Sequence, residues 1–294
     1  MSGAMLDPLS LRDGDDRVRV VCGVPQGQPG SGKAITTTAH FQLRRQDRRI
    51  ELRHWLRPEE LDNDLAGLLD DELFRPGWLT GNDVFERVLT GVVRSAMSDP
   101  LRAWHTFYAN TLAKIRHATA DGGAPGSVIA DMIPVYDRAL QLTPPGRVLD
   151  LASCFGFFPL LLADRGDTSV IASDVVPGSM RLLAAIADTL DVPIETLPCD
   201  ATSVPLPNRS VDTVTVLHLL EHLDQADGTR VVTEAVRLAA NWVVIAVPFE
   251  DVPDPTYGHI RTFDVATLTE IGRWTGRPFT VTEHHGGWLV IDMA

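Results

Sequence analysis

The stretch RVLDLASCFGFFPLLLA, residues 147–163, decides the fold class of this chain. It opens with a short apolar run of strand type, passes through a turn of small residues and continues as an apolar helix. The same succession of strand, turn and helix recurs towards the end of the sequence. Repeated strand–helix units with apolar strands predict a parallel sheet that is covered by helices on both faces.

The later units follow from the same alternation. The last two strands, 279–285 and 288–294, are joined through Gly286 and Gly287, which leaves no room for a crossover helix, so they must form an antiparallel hairpin. Residues 143–294 are thus predicted to form an α/β domain with a doubly wound, mostly parallel seven-stranded sheet. Its other strands are predicted at 147–152, 169–174, 194–200, 211–220 and 242–249, and its helices at 158–165, 177–190, 228–240 and 264–276.

The N-terminal half has a different organisation. Residues 1–16 are expected to be a flexible tail, and residues 17–142 a β-meander or hairpin followed by a helical extension. We expect this region to act as a lid over a substrate or as an oligomerisation surface, which would make the protein a homodimer. Strands are predicted at 17–24, 34–45 and 48–56, and helices, from apolar residues three and four apart, at 58–73, 82–97, 100–118 and 127–142.

The segment GQPGSGKA, residues 27–34, resembles a phosphate-binding loop. Such a loop works because it runs directly into a helix, whose N-terminal amides meet the phosphate. Here the residues after Lys33 alternate polar and apolar, which predicts a strand, and Ala34 replaces the hydroxyl residue that would bind Mg²⁺. The sequence therefore predicts a glycine-rich connection between strands, with Lys33 in a hairpin turn, rather than a nucleotide site.

Composition limits the partners of the protein. A net charge of −13 over 294 residues disfavours binding to nucleic acid, and no apolar run is long enough to span a membrane. The N-terminus lacks the basic start and apolar stretch of a signal peptide. The three cysteines have no metal-ligand spacing. We therefore expect a cytoplasmic protein with neither a nucleic-acid nor a membrane partner.

Acidic residues stand at the ends of three predicted strands. Asp150 lies near the end of the first, Asp174 ends the second and Asp200 ends the third, and Gly156 opens the helix after the first. In doubly wound sheets, ligands bind beyond the carboxyl ends of the strands. An acid after the second strand is suited to a ribose diol, and one after the third can accept from an exocyclic adenine amine. Any one of the three could instead cap a helix or turn.

The segment from Pro145 to Ala294 resembles a class I S-adenosylmethionine-dependent methyltransferase. The matching stretches are VLDLASCFGFFPLLLA, VIASD, LPCDATSVPLPNRSVDTVTVLHLLEHL and VVIAVP. The first motif of that family usually carries three glycines, and two of them are replaced here, by Ala152 and Cys154. If either position requires a positive φ, the added Cβ costs about 1 kcal/mol. The resemblance implies S-adenosylmethionine as cofactor, bound by Asp150, Ala152, Cys154, Gly156, Asp174, Asp200, Ala201 and His218.

The resemblance also implies a reaction. We predict an O-methyltransferase that acts on a hydroxyl of a small molecule or an oligosaccharide. The ASCFGF turn and the long N-terminal extension resemble mycofactocin oligosaccharide methyltransferases of actinobacteria, which would make the acceptor a sugar hydroxyl. One alternative is a non-catalytic S-adenosylmethionine-binding protein, whose altered glycine turn no longer supports turnover. Another is a quinone or phenol O-methyltransferase that uses a divalent metal.

The segment HLLEH, His218 to His222, matches an inverted zinc-protease motif, which requires both histidines on one face of a helix. Here it is predicted to continue the fourth strand of the sheet, which argues against a protease. In quinone-pathway O-methyltransferases, a similar Glu-His pair is implicated in divalent cation binding. We predict no metal site, and a cation at Glu221 and His222 remains the alternative.

The predicted reaction needs a base for the acceptor proton, and histidine titrates near neutral pH. His222 lies just past the fourth strand, beside the methyl group in the fold that the resemblance implies. His259 lies in the loop after the fifth strand, where the neighbouring wall of the same pocket is expected. We predict His222 as the base and His259 as the next candidate, with Glu221 as a third catalytic residue.

Overall fold

A computed structural model describes residues 18–24, 33–46, 49–117, 127–254 and 258–294. The chain divides into two compact units, Met1–Asp131 and Met132–Ala294. The predicted tail at residues 1–16 and most of the phosphate-like loop, residues 27–32, lie outside the described residues. No helix in the described part of the chain is both long and apolar enough to cross a membrane.

The first unit contains a four-stranded sheet in the order β1-β4-β3-β2. β3 pairs antiparallel with β2 and with β4, whereas β1 runs parallel to β4. The predicted hairpin is thus confirmed, but β1 does not join β2 in a meander. The strands are β1 (Val18–Cys22), β2 (Lys33–Thr37), β3 (Phe41–Gln46) and β4 (Arg49–His54).

One strand prediction and one turn prediction in this sheet are wrong. The single strand predicted at 34–45 is in fact β2 and β3, separated by a turn in which Thr38 and Phe41 exchange backbone and side-chain hydrogen bonds. Polar and apolar residues keep alternating through that turn, so the periodicity does not reveal it. Lys33 is the exposed first residue of β2 rather than a turn residue, because its backbone pairs with Arg45 of β3.

The helices of the first unit largely follow the predicted pattern. The exception is the helix predicted at 58–73, which the structure breaks around Asp62 and Asn63. Asp62 is buried and forms an ion pair with Lys114, and the backbone N–H of Asn63 donates to the hydroxyl of Thr111, so tertiary contacts end the helical run here. The helical elements are a 3₁₀ turn (Pro58–Glu60), α1 (Leu65–Leu69), a π-helical turn (Asp70–Phe74), α2 (Asn82–Ser95), α3 (Pro100–His117) and α4 (Val128–Leu142), the last of which contains the division between the units.

The second unit contains the predicted doubly wound sheet, in the order β10-β11-β9-β8-β5-β6-β7. The strands from β5 to β9 are parallel, and β11 pairs antiparallel with both β9 and β10, which confirms the C-terminal hairpin. The strands are β5 (Gly146–Leu151), β6 (Thr168–Asp174), β7 (Ile194–Pro198), β8 (Val211–Leu217), β9 (Ala239–Val247), β10 (Phe279–Glu283) and β11 (Gly287–Asp292). The helices are α5 (Phe157–Ala163), α6 (Pro177–Leu190), α7 (Gln225–Leu238) and α8 (Val265–Trp274).

Successive strand residues of this sheet are buried in two separate cores. Val148 and Val170 belong to one, whereas Leu149 and Ile171 belong to the other. Burial on both faces explains why these strands read as continuous apolar runs. The order of the strands changes direction at β5, because β6 and β7 follow on one side of it and β8 and β9 lie on the other. Ligands of such sheets bind at the carboxyl ends of the strands around that reversal.

Candidate active site

The turn after β5 has the left-handed backbone that the altered motif brought into question. Ala152 has a φ of 58°, Cys154 of 51° and Gly156 of 75°. A side chain in this region costs roughly 1–2 kcal/mol per residue, so Ala152 and Cys154 keep the turn shape at the expense of strain. A Cβ on Gly156 would lie 2.5 Å from Cδ2 of Leu183. Glycine is therefore retained where α6 approaches the turn most closely.

Asp150 lies at the base of this turn and is almost fully buried. Its carboxylate accepts from the hydroxyl of Ser153 at 2.7 Å and from that of Thr215 on β8 at 2.5 Å. Burial raises the pKa of Asp150 to about 6, against the opposing effect of these two hydrogen bonds. The side chain thus links β5, the turn and β8.

Asp174, at the end of β6, holds the other side of the turn. One carboxylate oxygen accepts the backbone N–H of Cys154 at 3.0 Å and the other that of Val176 at 2.9 Å. Burial raises the pKa of Asp174, while these two backbone hydrogen bonds act in the opposite direction. Each carboxylate oxygen has a further lone pair with which it can accept from a ligand hydroxyl.

Asp200 follows β7, next to the end of β6. It is exposed, and one of its oxygens accepts from both the backbone N–H and the hydroxyl of Thr202, which lowers its pKa. The backbone N–H of Cys199 donates to the carbonyl of Asp174, so the ends of the two strands are tied together. Ala201 continues this edge and is partly exposed.

The strand predicted at 211–220 is too long. β8 ends at Leu217, His218 takes a φ of 52°, and Leu220–His222 forms one 3₁₀ turn. The HLLEH segment is therefore neither the strand that the sequence predicts nor the α-helix that the protease motif needs. Because the 3₁₀ turn reverses direction at the strand end, Glu221 points inwards and is fully buried, whereas His222 is exposed.

Glu221 has an unusual environment for a carboxylate. Its side chain is 0% exposed, and neither carboxylate oxygen has a hydrogen-bond partner among the described residues. The imidazole of His218 lies beside it, with Nδ1 3.4 Å from Oε1. Burial, followed by the charge of Glu250, raises the pKa of Glu221 to about 8, and burial lowers that of His218 to about 4.

His259 is brought to the same place from the loop after β9. Its Nδ1 lies 2.9 Å from both carboxylate oxygens of Glu250, and its ring contacts that of His222 edge to face, with centroids 4.9 Å apart. The pKa of His222 is lowered, chiefly by partial burial and then by His259. Glu250 is not among the residues predicted from the sequence, although it lies shortly after the end of β9.

One ring nitrogen of each histidine, His222 and His259, and a carboxylate oxygen of Glu221 lie within 4.8 Å of one another. We call these three residues, together with Glu250, the acid–histidine cluster. It lies beyond the carboxyl ends of β8 and β9, and β8 is the direct neighbour of β5. The structure thus gathers the three predicted catalytic residues at one edge of the sheet.

Residues 148–241 match the model of a protein family described as a methyltransferase domain. The match runs from β5 to the start of β9 and includes Asp150, Asp174, Asp200 and Glu221. The second unit thus carries a methyltransferase domain over these residues. Together with the resemblance of its motifs to class I methyltransferases, this match implies S-adenosylmethionine as the cofactor.

The methyltransferase domain is also similar to individual proteins. The demethylmenaquinone methyltransferase of Thermus thermophilus is 27% identical over 124 residues, which are 42% of this chain and 55% of that relative. This chain thus spans little more than half the length of the relative. A SAM-dependent methyltransferase from Aquifex aeolicus has 18% identity and a TM-score of 0.46, covering 62% of this chain and 96% of that one. An O-methyltransferase family protein from Burkholderia thailandensis has 14% identity and a TM-score of 0.47, covering 65% and 59%.

The shape of the turn after β5 is compatible with the predicted cofactor. Left-handed backbone at Ala152, Cys154 and Gly156 bends the turn over the strand ends, and a Cβ at Gly156 would collide with Leu183. Asp174 lies at the edge of this turn with lone pairs left for a ribose. The cofactor contacts that the sequence predicts all stay predictions, including those of Ala152, Cys154, Gly156 and Asp174. Asp150 already accepts two protein hydroxyls.

Proposed function

We propose that the protein is an O-methyltransferase that methylates a hydroxyl group of a small molecule or an oligosaccharide. The observation that carries this proposal is the acid–histidine cluster at the ends of β8 and β9. The cluster lies beyond the ends of β8 and β9, and β8 pairs with β5, whose turn is the expected cofactor site. A proton-handling group beside a methyl donor is what a hydroxyl acceptor requires.

The roles of the protein at the donor side follow from the strand ends. When bound, S-adenosylmethionine supplies a methyl group that its sulfonium has already activated. Asp174 would accept from the ribose hydroxyls, and Asp200 from the exocyclic amine of the adenine. The turn over Ala152, Cys154 and Gly156 would hold the remaining part of the cofactor. The main task of these residues is positioning, since alignment of the two reactants supplies much of the rate enhancement.

The hydroxyl of the acceptor must lose its proton during methyl transfer. An alcohol has a high pKa, so its proton must leave as the new bond forms. The acid–histidine cluster can take the proton on a histidine nitrogen, or it can hold a cation that lowers the pKa of the hydroxyl. The sequence favours His222 as the base, whereas the contact with Glu250 makes His259 the better oriented histidine.

Two classes of acceptor are considered, oligosaccharides on the one hand and quinones or phenols on the other. An oligosaccharide acceptor, as in the mycofactocin oligosaccharide methyltransferases, is supported by the sequence resemblance alone. The name of the relative from Thermus thermophilus points instead to a quinone-type acceptor, which keeps the quinone or phenol alternative open. A non-catalytic S-adenosylmethionine-binding protein is the third hypothesis for the function. We further propose a cytoplasmic protein without a nucleic-acid or membrane partner, and a homodimer as its assembled form.

Product analysis would separate these acceptors. The purified protein is incubated with S-adenosylmethionine and either maltotetraose or catechol, and S-adenosylhomocysteine is quantified. We expect its release with the oligosaccharide. Release with catechol alone would move the acceptor to the phenol class. If S-adenosylmethionine binds by calorimetry but is not turned over with either probe or with a quinol, the protein is a binder and the proposal fails.

Two variants test the role of the cluster. His222→Ala and His259→Ala are each expected to lower kcat about 100-fold or more, while the Kd for S-adenosylmethionine stays within about twofold of wild type. A lower kcat in both variants supports a cluster that acts as a unit. A lower kcat in only one of them identifies that histidine as the base. His285→Ala, in an exposed turn, is the matched control and should keep full activity. Full activity in both cluster variants would contradict the proposal.

A further inference from the structure

We propose that Glu221, His222 and His259 bind one divalent first-row transition metal ion, with zinc as the representative ion. Metal binding by these side chains is independent of the proposed methyl transfer. Only the use of the ion, to lower the pKa of an acceptor hydroxyl beside it, rests on the proposed function.

The geometry of the three side chains suits such an ion. Their nearest donor atoms lie within 4.8 Å of one another. Ligand atoms about 2.1 Å from a tetrahedral zinc are roughly 3.4 Å apart, so rotamer adjustments of about 1 Å would complete the site. Two imidazoles and one carboxylate leave a coordination position open, as catalytic metal sites do.

The buried carboxylate of Glu221 supplies the second argument. It is fully buried, and neither oxygen has a hydrogen-bond partner among the described residues. An ionised carboxylate in such a place is destabilising by several kcal/mol unless a positive charge compensates it. A cation held between Glu221 and the two histidines provides that charge.

Backbone hydrogen bonds connect the 3₁₀ turn after β8 to the loop after β9, the two segments that carry the proposed ligands. The carbonyl oxygen of Glu221 accepts the backbone N–H of Ile260 at 2.8 Å and that of Arg261 at 3.2 Å. The loop that carries His259 is thereby fixed to the 3₁₀ turn that carries Glu221 and His222. Ligands on two segments that are bonded to each other are preorganised for a common ion.

Glu250 completes the arrangement as an outer carboxylate. Histidines that bind metals usually place the second ring nitrogen against a carboxylate or a carbonyl, which fixes the tautomer and the ring orientation. Glu250 bonds Nδ1 of His259 at 2.9 Å, so Nε2 is the ligand atom in this proposal. Of the three proposed ligands, two are imidazoles. Imidazole suits zinc, iron and nickel, whereas Mg²⁺ prefers oxygen ligands and strict octahedral geometry.

A calorimetric titration tests the metal site without cofactor or acceptor. The full chain is treated with EDTA, exchanged into metal-free buffer and titrated with Zn²⁺, and Co²⁺ absorption reports the ligand field. We expect one Zn²⁺ per chain, with binding at least 10-fold weaker in Glu221→Gln and in His259→Gln. Glu250→Gln, which removes only the outer carboxylate charge, should weaken binding about 10- to 100-fold.

The exposed pair His284 and His285 provides a matched control. Their rings also lie 4.9 Å apart at a similar angle, but the pair is in an exposed turn. His285→Gln should leave the Zn²⁺ affinity unchanged. If His285→Gln loses as much affinity as Glu221→Gln, the ion binds the exposed pair and the proposal is wrong.

Three further results would overturn the metal site. One is the absence of stoichiometric Zn²⁺ and Co²⁺ binding to wild type, and another is preferential binding of Mg²⁺ over Zn²⁺. The third is unchanged affinity in folded Glu221→Gln and His259→Gln proteins, with folding confirmed by circular dichroism. Because these titrations contain no acceptor, a negative result leaves the proposed methyl transfer standing.

Discussion

The backbone N–H of Cys154 donates to the carboxylate of Asp174 at 3.0 Å. The residue that we expect to hold the ribose therefore also fixes the turn around the rest of the cofactor. Ser153 reinforces this link, because its backbone N–H donates to the carbonyl of Ser173 at 2.8 Å. The end of β6 and the turn after β5 thus form one bonded unit.

Asp174→Ala is expected to weaken binding of S-adenosylmethionine by about 1–3 kcal/mol, the range for a lost charged hydrogen bond. The variant removes the ribose acceptor and the anchor of the turn together. Isothermal titration calorimetry on folded protein measures the effect. Asp188→Ala, at an exposed position of α6, should bind like wild type. Equal affinities of wild type and Asp174→Ala would remove Asp174 from the cofactor site.

Gly156→Ala is expected to destabilise the second unit by about 2–4 kcal/mol. About 1 kcal/mol comes from the Cβ at a φ of 75°, and the rest from overpacking against Leu183. Gly166→Ala is the control, since Gly166 has a φ of 76°, but among the described residues other than its chain neighbours no atom lies within 4 Å of the added carbon. Gly166→Ala should lose only the roughly 1 kcal/mol of stability that comes from a Cβ at positive φ. Urea unfolding compares the two variants, and equal losses would show that the contact with Leu183 has no effect.

Asp150 gives the stability of the second unit a defined dependence on pH. Its pKa is about 6 in the fold, against about 3.9 in an unfolded chain. The folded state thus binds the proton more tightly, and this side chain lowers the free energy of unfolding as pH rises from about 4 to above 6. The full effect is on the order of 3 kcal/mol.

Asp150→Asn removes that effect. The stability of the variant relative to wild type should therefore increase between pH 4 and pH 7, as measured by urea unfolding at each pH. Because the other titrating groups are present in both proteins, their contributions largely cancel in the difference. Unfolding free energies that stay parallel over this range would mean that Asp150 has an ordinary pKa.

Lys33→Ala should leave S-adenosylmethionine affinity and turnover at wild-type levels. Lys33 begins β2 and is exposed, and a strand lacks the helix N-terminus of a phosphate-binding loop. Binding of ATP to wild type, measured by calorimetry, should be undetectable. ATP binding that disappears in Lys33→Ala would restore the nucleotide interpretation.

The parallel sheet could be predicted from the sequence because its strands are apolar on both faces and alternate with helices. The errors occur where alternation continues through a change of direction. Thr38 closes a turn inside a polar–apolar pattern, and His218 turns the chain at the end of β8 although Leu219 and Leu220 extend the apolar run. Both turns depend on local bonds or positive φ values rather than on residue type.

The positions of the candidate site residues were predictable where they depend on the end of a strand. Asp174 lies at the end of β6, as expected, and the three predicted catalytic residues lie together. The same rule, applied to β9, would have identified Glu250. Its pairing with His259, however, depends on the course of a long loop, which periodicity does not determine. The burial of Glu221 likewise arises from the 3₁₀ turn and not from its sequence neighbours.

The position of β11 between β9 and β10 has a consequence for synthesis on the ribosome. β10 leaves the ribosome before β11, but it joins the sheet only through β11. Until residues 287–292 emerge, one edge of β9, including the apolar run from Val243 to Val247, remains unpaired. An exposed apolar edge is a template for pairing with other chains. Before β11 emerges, β9 of the nascent protein is therefore open both to chaperone binding and to aggregation.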